Sequence, residues 1–184
     1  MTGELMTRAV ILGLGLLGLV FASAGCNQPY VPGYSYYPQP ATVEVLRRDG
    51  NRQTPLVVLA SVLGVHNADE KTGIPYSVVV RMRFENVAQS NVTFDPKSLE
   101  LVTGTLRGFP APVVRPGQPM NLAPGDRREL TAYFPFAAGA SAPQLNMRNL
   151  RLRWEVRIDS TAVIQTALFE RVGRDDGEDA DVGY

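Results

Sequence analysis

Between Thr42 and Val172 apolar and polar residues alternate with a period of two, interrupted by turn residues, and helical periodicity is nearly absent. In "PYSVVVRMRFENV", Val78, Val80, Met82 and Phe84 fall on one side of an extended chain, and Val79, Arg81, Arg83 and Glu85 on the other. In "NLRLRWEVRID", Leu150, Leu152, Trp154, Val156 and Ile158 oppose Arg151, Arg153, Glu155 and Arg157. Each reads as a strand with one packed and one wet face. Further strands are predicted over Thr42–Arg47, Leu56–Val65, Ser98–Gly104, Arg127–Phe134 and Thr161–Glu170, with edge pieces around Val92–Phe94 and Ala111–Val114. Turn chemistry separates them at Asp49-Gly50, Asp95-Pro96, Pro116-Gly117, Pro124-Gly125 and Asp159-Ser160. A parallel sheet would need crossover helices, so the pattern predicts an all-β fold, a two-sheet antiparallel sandwich of about seven to nine strands.

Ahead of this domain the grammar changes. Residues 9–25, "AVILGLGLLGLVFASAG", carry no charge and end in small residues, and Arg8 precedes them, which is signal-peptide order. The run closes on "SAGC", Ser23 to Cys26, which resembles the lipobox of bacterial lipoproteins. In that family a cysteine after small residues is diacylated and becomes the mature amino terminus. Ser23 departs from the aliphatic residue preferred there. The resemblance implies lipidation of Cys26, so that this cysteine is a tether and not a nucleophile, with two or more acyl chains giving stable anchoring. Cleavage nearby by an ordinary signal peptidase, an uncleaved anchor and a cytosolic apolar helix remain as alternatives. "GLGLLG", Gly13 to Gly18, matches a dinucleotide-binding fingerprint by letter, but it lacks the preceding strand and following helix that give the glycines their use.

Asn27 to Ala41, "NQPYVPGYSYYPQPA", holds four prolines and four tyrosines and no charge. It reads as an extended spacer of about 3.1 Å per residue. The alternative is that Tyr30, Tyr34, Tyr36 and Tyr37 stack on glycan or sit at a membrane interface. The close, "RDDGEDADVGY", reads as an acidic disordered tail. The expected map is a leader over 1–25, a lipidated Cys26 and linker over 26–41, the sandwich over 42–172 and the tail over 173–184.

Within the sandwich the order "VVVRMRFEN", "VTFDPKSLEL", "LAPGDRRELTAYFPF", "LRLRWEV" resembles the telokin-like immunoglobulin-type domains of unknown function found on bacterial extracytoplasmic and lipid-anchored proteins. The shared marks are an Asn closing a strand, an "L-x-P-G" turn before a strand, and an aromatic-Pro step after it. They span roughly Val43 to Ile158. The resemblance implies an immunoglobulin-like sandwich serving as a binding or scaffolding module, with no cofactor and no catalytic set to carry over.

Composition narrows the function classes. Eighteen basic and eighteen acidic residues cancel, which argues against a nucleic-acid partner, whose phosphates demand excess positive charge. Cys26 is the only cysteine and His66 the only histidine, and no G-x-S-x-G, H-E-x-x-H or P-loop occurs. His66 with Asp69 and Glu70 has the donor types for a weak metal, but an isolated His in a polar stretch reads as plain surface, so no metal and no cofactor are expected. Asp95 and Glu100 are a nominal carboxylate pair for a glycosidase. "NVT" at Asn91 fits a glycosylation sequon that the bacterial lipobox makes accidental. Arg81, Arg83, Arg151, Arg153 and Arg157 occupy the wet faces of two strands. If those strands share a sheet, they form an anion-binding face; otherwise they are solvated and paired with Glu85, Glu155 or Glu44.

The expectation is a bacterial envelope lipoprotein, not an enzyme, held to the membrane through lipid on Cys26 and binding an envelope protein or glycan through loops or strand edges. The alternatives are a small envelope hydrolase with an unrecognised carboxylate site, and a purely structural spacer.

Overall fold

The alternating runs become strands with their apolar sides facing inward. A computed structural model describes residues 29–45, 56–159 and 161–172. The leader, Cys26, the Asp49-Gly50 turn and the acidic tail lie outside these residues. Eleven strands are present among the described residues: β1 (Tyr36–Tyr37), β2 (Ala41–Val45), β3 (Leu56–His66), β4 (Ser77–Asn86), β5 (Val92–Phe94), β6 (Glu100–Thr103), β7 (Val113–Arg115), β8 (Met120–Leu122), β9 (Arg127–Pro135), β10 (Asn149–Ile158) and β11 (Thr161–Arg171). Two short 3₁₀ turns, Pro96–Ser98 and Ala142–Gln144, are the only helical pieces among them.

All ladders are antiparallel. One sheet has the order β2-β3-β4-β9-β7; the other runs β1-β11-β10-β5-β8, with β6 also on β10. The fold is thus an all-β sandwich, as the alternation predicts, and immunoglobulin-like, as the resemblance implies. Strands β5 and β6 divide one edge of β10, opposite Val156–Ile158 and Leu150–Arg153 respectively. Between them the Ser98 hydroxyl accepts from the Glu155 amide at 3.2 Å and donates to the Asp95 carbonyl at 2.7 Å, so a side chain continues the ladder where no strand reaches.

The inward rows form one core. Val80, Met82 and Phe84 of β4 and Leu130, Ala132 and Phe134 of β9 face Leu152, Trp154 and Val156 of β10 and Phe169 of β11, all of them buried. Phe84 meets Phe94 across the sandwich with ring centroids 4.6 Å apart. Each such side chain contributes about 1.5–3 kcal/mol through burial.

Three expectations need correction. The strand count is higher than seven to nine, because β1 and β8 are too short to show an alternation. The segment read as a linker is not free from residue 29 onward. Finally, the sandwich begins before Thr42. The Asn67 amide donates to the Pro29 carbonyl (2.8 Å), the Val31 amide donates to Val65 (2.7 Å), and Tyr30 bridges His66. Tyr36 is 2 % exposed, and its hydroxyl donates to the Met147 carbonyl at 3.0 Å. The chain therefore crosses from the end of β3 to the end of β11 and back into β2, a strap stitched to both sheets. Aromatic rings supply the reason. A Pro- and Tyr-rich segment cannot nucleate a helix, yet its tyrosines carry enough apolar surface to be buried once a groove exists.

Gly64 makes room for this strap. It sits at a bulge in the β3–β4 ladder with φ of +121°, and a Cβ there would lie 2.8 Å from the Tyr34 carbonyl oxygen. A glycine is required both by the backbone angle and by the close approach.

Asn86 explains why an Asn closes β4 in company with an "L-x-P-G" turn. It is 1 % exposed. Its amide nitrogen donates to the Ser90 carbonyl (2.8 Å) and the Leu122 carbonyl (3.0 Å), and its side-chain oxygen accepts from the Ala88 amide (3.1 Å). Its backbone pairs with Asp126 and Gly125. One side chain thus joins the β4–β5 link to the turn that opens β9.

Candidate functional site

Strand β11 reads "TAVIQTALF" from Thr161 to Phe169, nine residues without a charge, a proline or a glycine. Alternation turns Ala167 and Phe169 into the core and leaves Ile164 and Leu168 on the outer face, 54 % and 62 % exposed. On one side β11 pairs with β10 along its length. On the other, among the described residues, only Tyr36 and Tyr37 pair with it, opposite Arg171 and Glu170. Strand β2 passes nearby but belongs to the other sheet. The backbone of Thr161–Phe169 therefore presents an edge with no strand partner among the described residues. The usual protections of such an edge, a lysine, a proline or a bulge, are missing.

A groove of about 510 Å³ opens on the outer face where β1, β10 and β11 meet, lined by Tyr37, Leu106, Asn149, Arg151, Leu168 and Glu170 among others. Tyr37 and Leu106 are 70 % and 71 % exposed. Leu106 is also held at φ of +62° in a tight turn. Its amide donates to the Thr103 carbonyl, while the Thr103 and Thr105 hydroxyls bond each other. A bulky residue in the left-handed region costs about 1–2 kcal/mol. Here that cost holds an apolar side chain out over the groove. Arg151 and Glu170 supply one charge of each sign beside the apolar rim, so the groove suits an extended polypeptide better than a polyanion.

The arginines that would form one face if their strands shared a sheet do not share one. Arg81 and Arg83 lie on β4 in the five-stranded sheet, whereas Arg151, Arg153 and Arg157 lie on β10 in the other, and the outer faces of a sandwich point in opposite directions. Most are also paired: Arg83 with Glu85 at 2.8 Å, Arg153 with Glu100 at 2.7 Å, Arg157 with Glu155 at 3.3 Å. Two identical alternations placed these side chains outward correctly, but outward has two directions. Arg151 alone enters the groove.

The nominal carboxylate pair is likewise divided. Asp95 caps the Pro96–Ser98 turn, accepting from the Lys97 amide at 2.9 Å, and Glu100 is held by Arg153. A hollow of about 400 Å³ does bring Asp95 near Glu155, yet Lys97 and Arg157 line it too. His66 is not in a polar loop but ends β3, its ring edge-on between Tyr30 (5.4 Å) and Tyr133 (6.1 Å). Asp69 turns back on its own loop. The Thr72 hydroxyl, then the Lys71 amide, hold its carboxyl below the usual range. Among the described residues no three His, Cys, Asp or Glu side chains gather as metal ligands.

Leu106, Ile164 and Leu168 were not singled out by sequence reasoning, and Tyr37 was named there only with the other tyrosines of its segment, as a surface for glycan or membrane. The signal that marks Ile164 and Leu168 is the uncharged run of a terminal strand, but which strand lies at an edge is a property of topology.

Fold and site together define an immunoglobulin-like sandwich with an edge strand that is uncharged from Thr161 to Phe169 and, among the described residues, unpaired on its outer side there. No family model and no curated protein matches the chain. Among solved structures it is similar to the yjhA protein from Bacillus subtilis, at 10 % identity over 53 % of this chain and 71 % of that one, with a TM-score of 0.32. A FixG-related protein from Vibrio parahaemolyticus shows 9 % identity over 65 % and 98 %, TM-score 0.35. The GAE domain of GGA2p from Saccharomyces cerevisiae shows 18 % identity over 72 % and 96 %, TM-score 0.29.

Proposed function

We propose that this chain is a lipid-anchored protein of the bacterial envelope whose immunoglobulin-like domain is a non-catalytic binding module. It takes an extended segment of another envelope protein along β11. The observation that carries this reading is the uncharged edge from Thr161 to Phe169, which has no strand partner among the described residues, beside the apolar rim of Tyr37, Leu106 and Leu168. A strand added there gains main-chain hydrogen bonds from the edge and side-chain burial in the groove, which is how edge addition combines affinity with selectivity. The anchor rests on "SAGC" and is supported by the uncharged run before it.

The test uses the full chain with its own leader, expressed in a bacterium. Mass measurement of the membrane-extracted protein is expected to show acyl chains on Cys26, and Cys26→Ala to release the protein from membranes. A photo-crosslinking residue at Thr166 is expected to trap an envelope protein, and Ile164→Lys with Leu168→Lys to abolish the trap while the melting temperature stays within a few degrees. Crosslinks that survive the double substitution would refute edge addition.

A further inference from the structure

Because the strap is part of the sandwich, the distance between anchor and domain is set by very few residues. Only Asn27 and Gln28 separate Cys26 from Pro29, whose carbonyl is already hydrogen-bonded to Asn67. Three residue steps span at most about 10–11 Å fully extended. The polar layer on each side of a bilayer is about 5–8 Å deep. Resting on the reading of Cys26 as lipidated, we propose that the end of the sandwich around Pro29 lies directly on the lipid headgroups, with a fixed orientation, and not at the end of a long leash.

The residues at that end suit the position. The last ladder row of the five-stranded sheet is His66, Ser77 and Pro135, with Tyr30 bridged to His66. One step further out stand Asn67, Tyr76 and Phe136, the Phe136 amide donating to the Tyr76 carbonyl at 3.2 Å. Tyr76 stacks on Phe136 at 4.8 Å and Phe109 meets Phe136 at 5.5 Å, all three rings partly exposed. Tyr30 and Tyr133 flank His66 on the adjoining outer face. Three tyrosines and two phenylalanines, all half-buried at one end of the domain, match the bilayer interface, where a tyrosine's apolar ring and polar hydroxyl are both satisfied and the phenylalanines add apolar surface. The occupant is thus the headgroup layer of the leaflet that receives the acyl chains. The opposite end, where Val87 follows β4, points away from the membrane.

The mature lipidated chain is to be reconstituted in phospholipid vesicles with a spin label at Lys71→Cys, in the exposed loop after β3, or at Val87→Cys. Acylation leaves the introduced cysteine as the reactive thiol. Collision with lipid-soluble relaxant is expected to be several-fold greater at position 71 than at 87, and to fall when a Gly-Ser spacer of about fifteen residues separates Gln28 from Pro29. Equal lipid contact at 71 and 87 in a chain whose mass shows acylation would overturn the orientation and leave the anchor standing. Lipid contact at 71 undiminished by the spacer would overturn the short tether as its cause. A chain whose mass shows no acyl groups would overturn the anchor and the orientation together, so the mass tells which inference failed.

Discussion

Gly64→Ala measures how strongly the strap is built into the fold. Two effects add. At φ of +121° an L-residue occupies sparsely populated backbone space, at a cost of about 1–3 kcal/mol. The new Cβ also meets the Tyr34 carbonyl oxygen at 2.8 Å, so the strap must shift. Backbone cannot rotate aside as a side-chain tip can, and the shift pulls on Val31, held to Val65, and on Tyr36, buried against Met147. Losing one such hydrogen bond adds about 1 kcal/mol, for a total near 3 kcal/mol. Unfolding entropy of about 2.1 cal/mol/K per residue over roughly 130 residues converts this to a fall of about 10 °C in melting temperature.

Gly33→Ala is the internal control. Gly33 also has positive φ, +84°, but nothing lies within 4 Å of its added Cβ. Only the backbone cost applies, about 1 kcal/mol and about 4 °C. Thermal and urea denaturation of both variants, with hydrogen exchange at the Val31 and Asn67 amides, reads the difference. Equal losses in the two variants would refute the close approach at Gly64. Unchanged protection of Val31 in Gly64→Ala would refute the displacement of the strap.

Three further outcomes follow from named contacts. Asn86→Ala removes three side-chain hydrogen bonds, the one to the Leu122 carbonyl buried and those with Ser90 and Ala88 part-buried; a loss of about 2–4 kcal/mol in urea unfolding is expected, and a loss below about 1 kcal/mol would contradict it. Burial, far outweighing the nearby Arg171, raises the Tyr36 hydroxyl pKa well above its ordinary 10.0. The unfolded chain therefore ionises first, and the contribution of Tyr36, complete below pH 10, is lost as pH rises beyond it. Tyr36→Phe should cost about 1 kcal/mol at pH 7 through the orphaned Met147 carbonyl and flatten the alkaline loss; a parallel pH profile would be the contrary result. Leu106→Gly relieves a left-handed leucine and is expected to leave stability equal or about 1 kcal/mol higher while weakening whatever the groove holds, so a destabilised variant would refute the strain.

The alternation exposed the sandwich because a strand buried on one face writes its orientation at every second residue. Val78 to Glu85 and Leu150 to Ile158 show it in full. Strands of two or three residues, such as Tyr36–Tyr37 and Met120–Leu122, have no period to read. The strap was hidden for a different reason. Proline and tyrosine composition reports that a segment cannot form a helix, but not whether another segment offers it a groove. That information sits partly at Gly64, some thirty residues away, as a single missing Cβ. The edge was hidden because pairing order is non-local. "TAVIQTALFE" is equally good as a central strand, and only the sheet order leaves it at the margin.

The strap and the edge bear on each other. By pairing with Arg171 and Glu170, Tyr36 and Tyr37 cover the end of β11 and stop there, and from Phe169 back to Thr161 the edge has no strand partner among the described residues. Arg171 reinforces this boundary: its guanidinium lies 4.7 Å from the Tyr34 ring centroid and donates to the Gly33 carbonyl at 2.9 Å. The same short segment thus fixes where an added strand can begin and, through Pro29, ties the domain close to Cys26. A partner strand entering the groove at Tyr37 would therefore meet β11 at a defined distance from the anchor proposed at Cys26. In the spacer variant edge binding should persist while orientation at the membrane is lost, which separates the two roles of the strap in one protein.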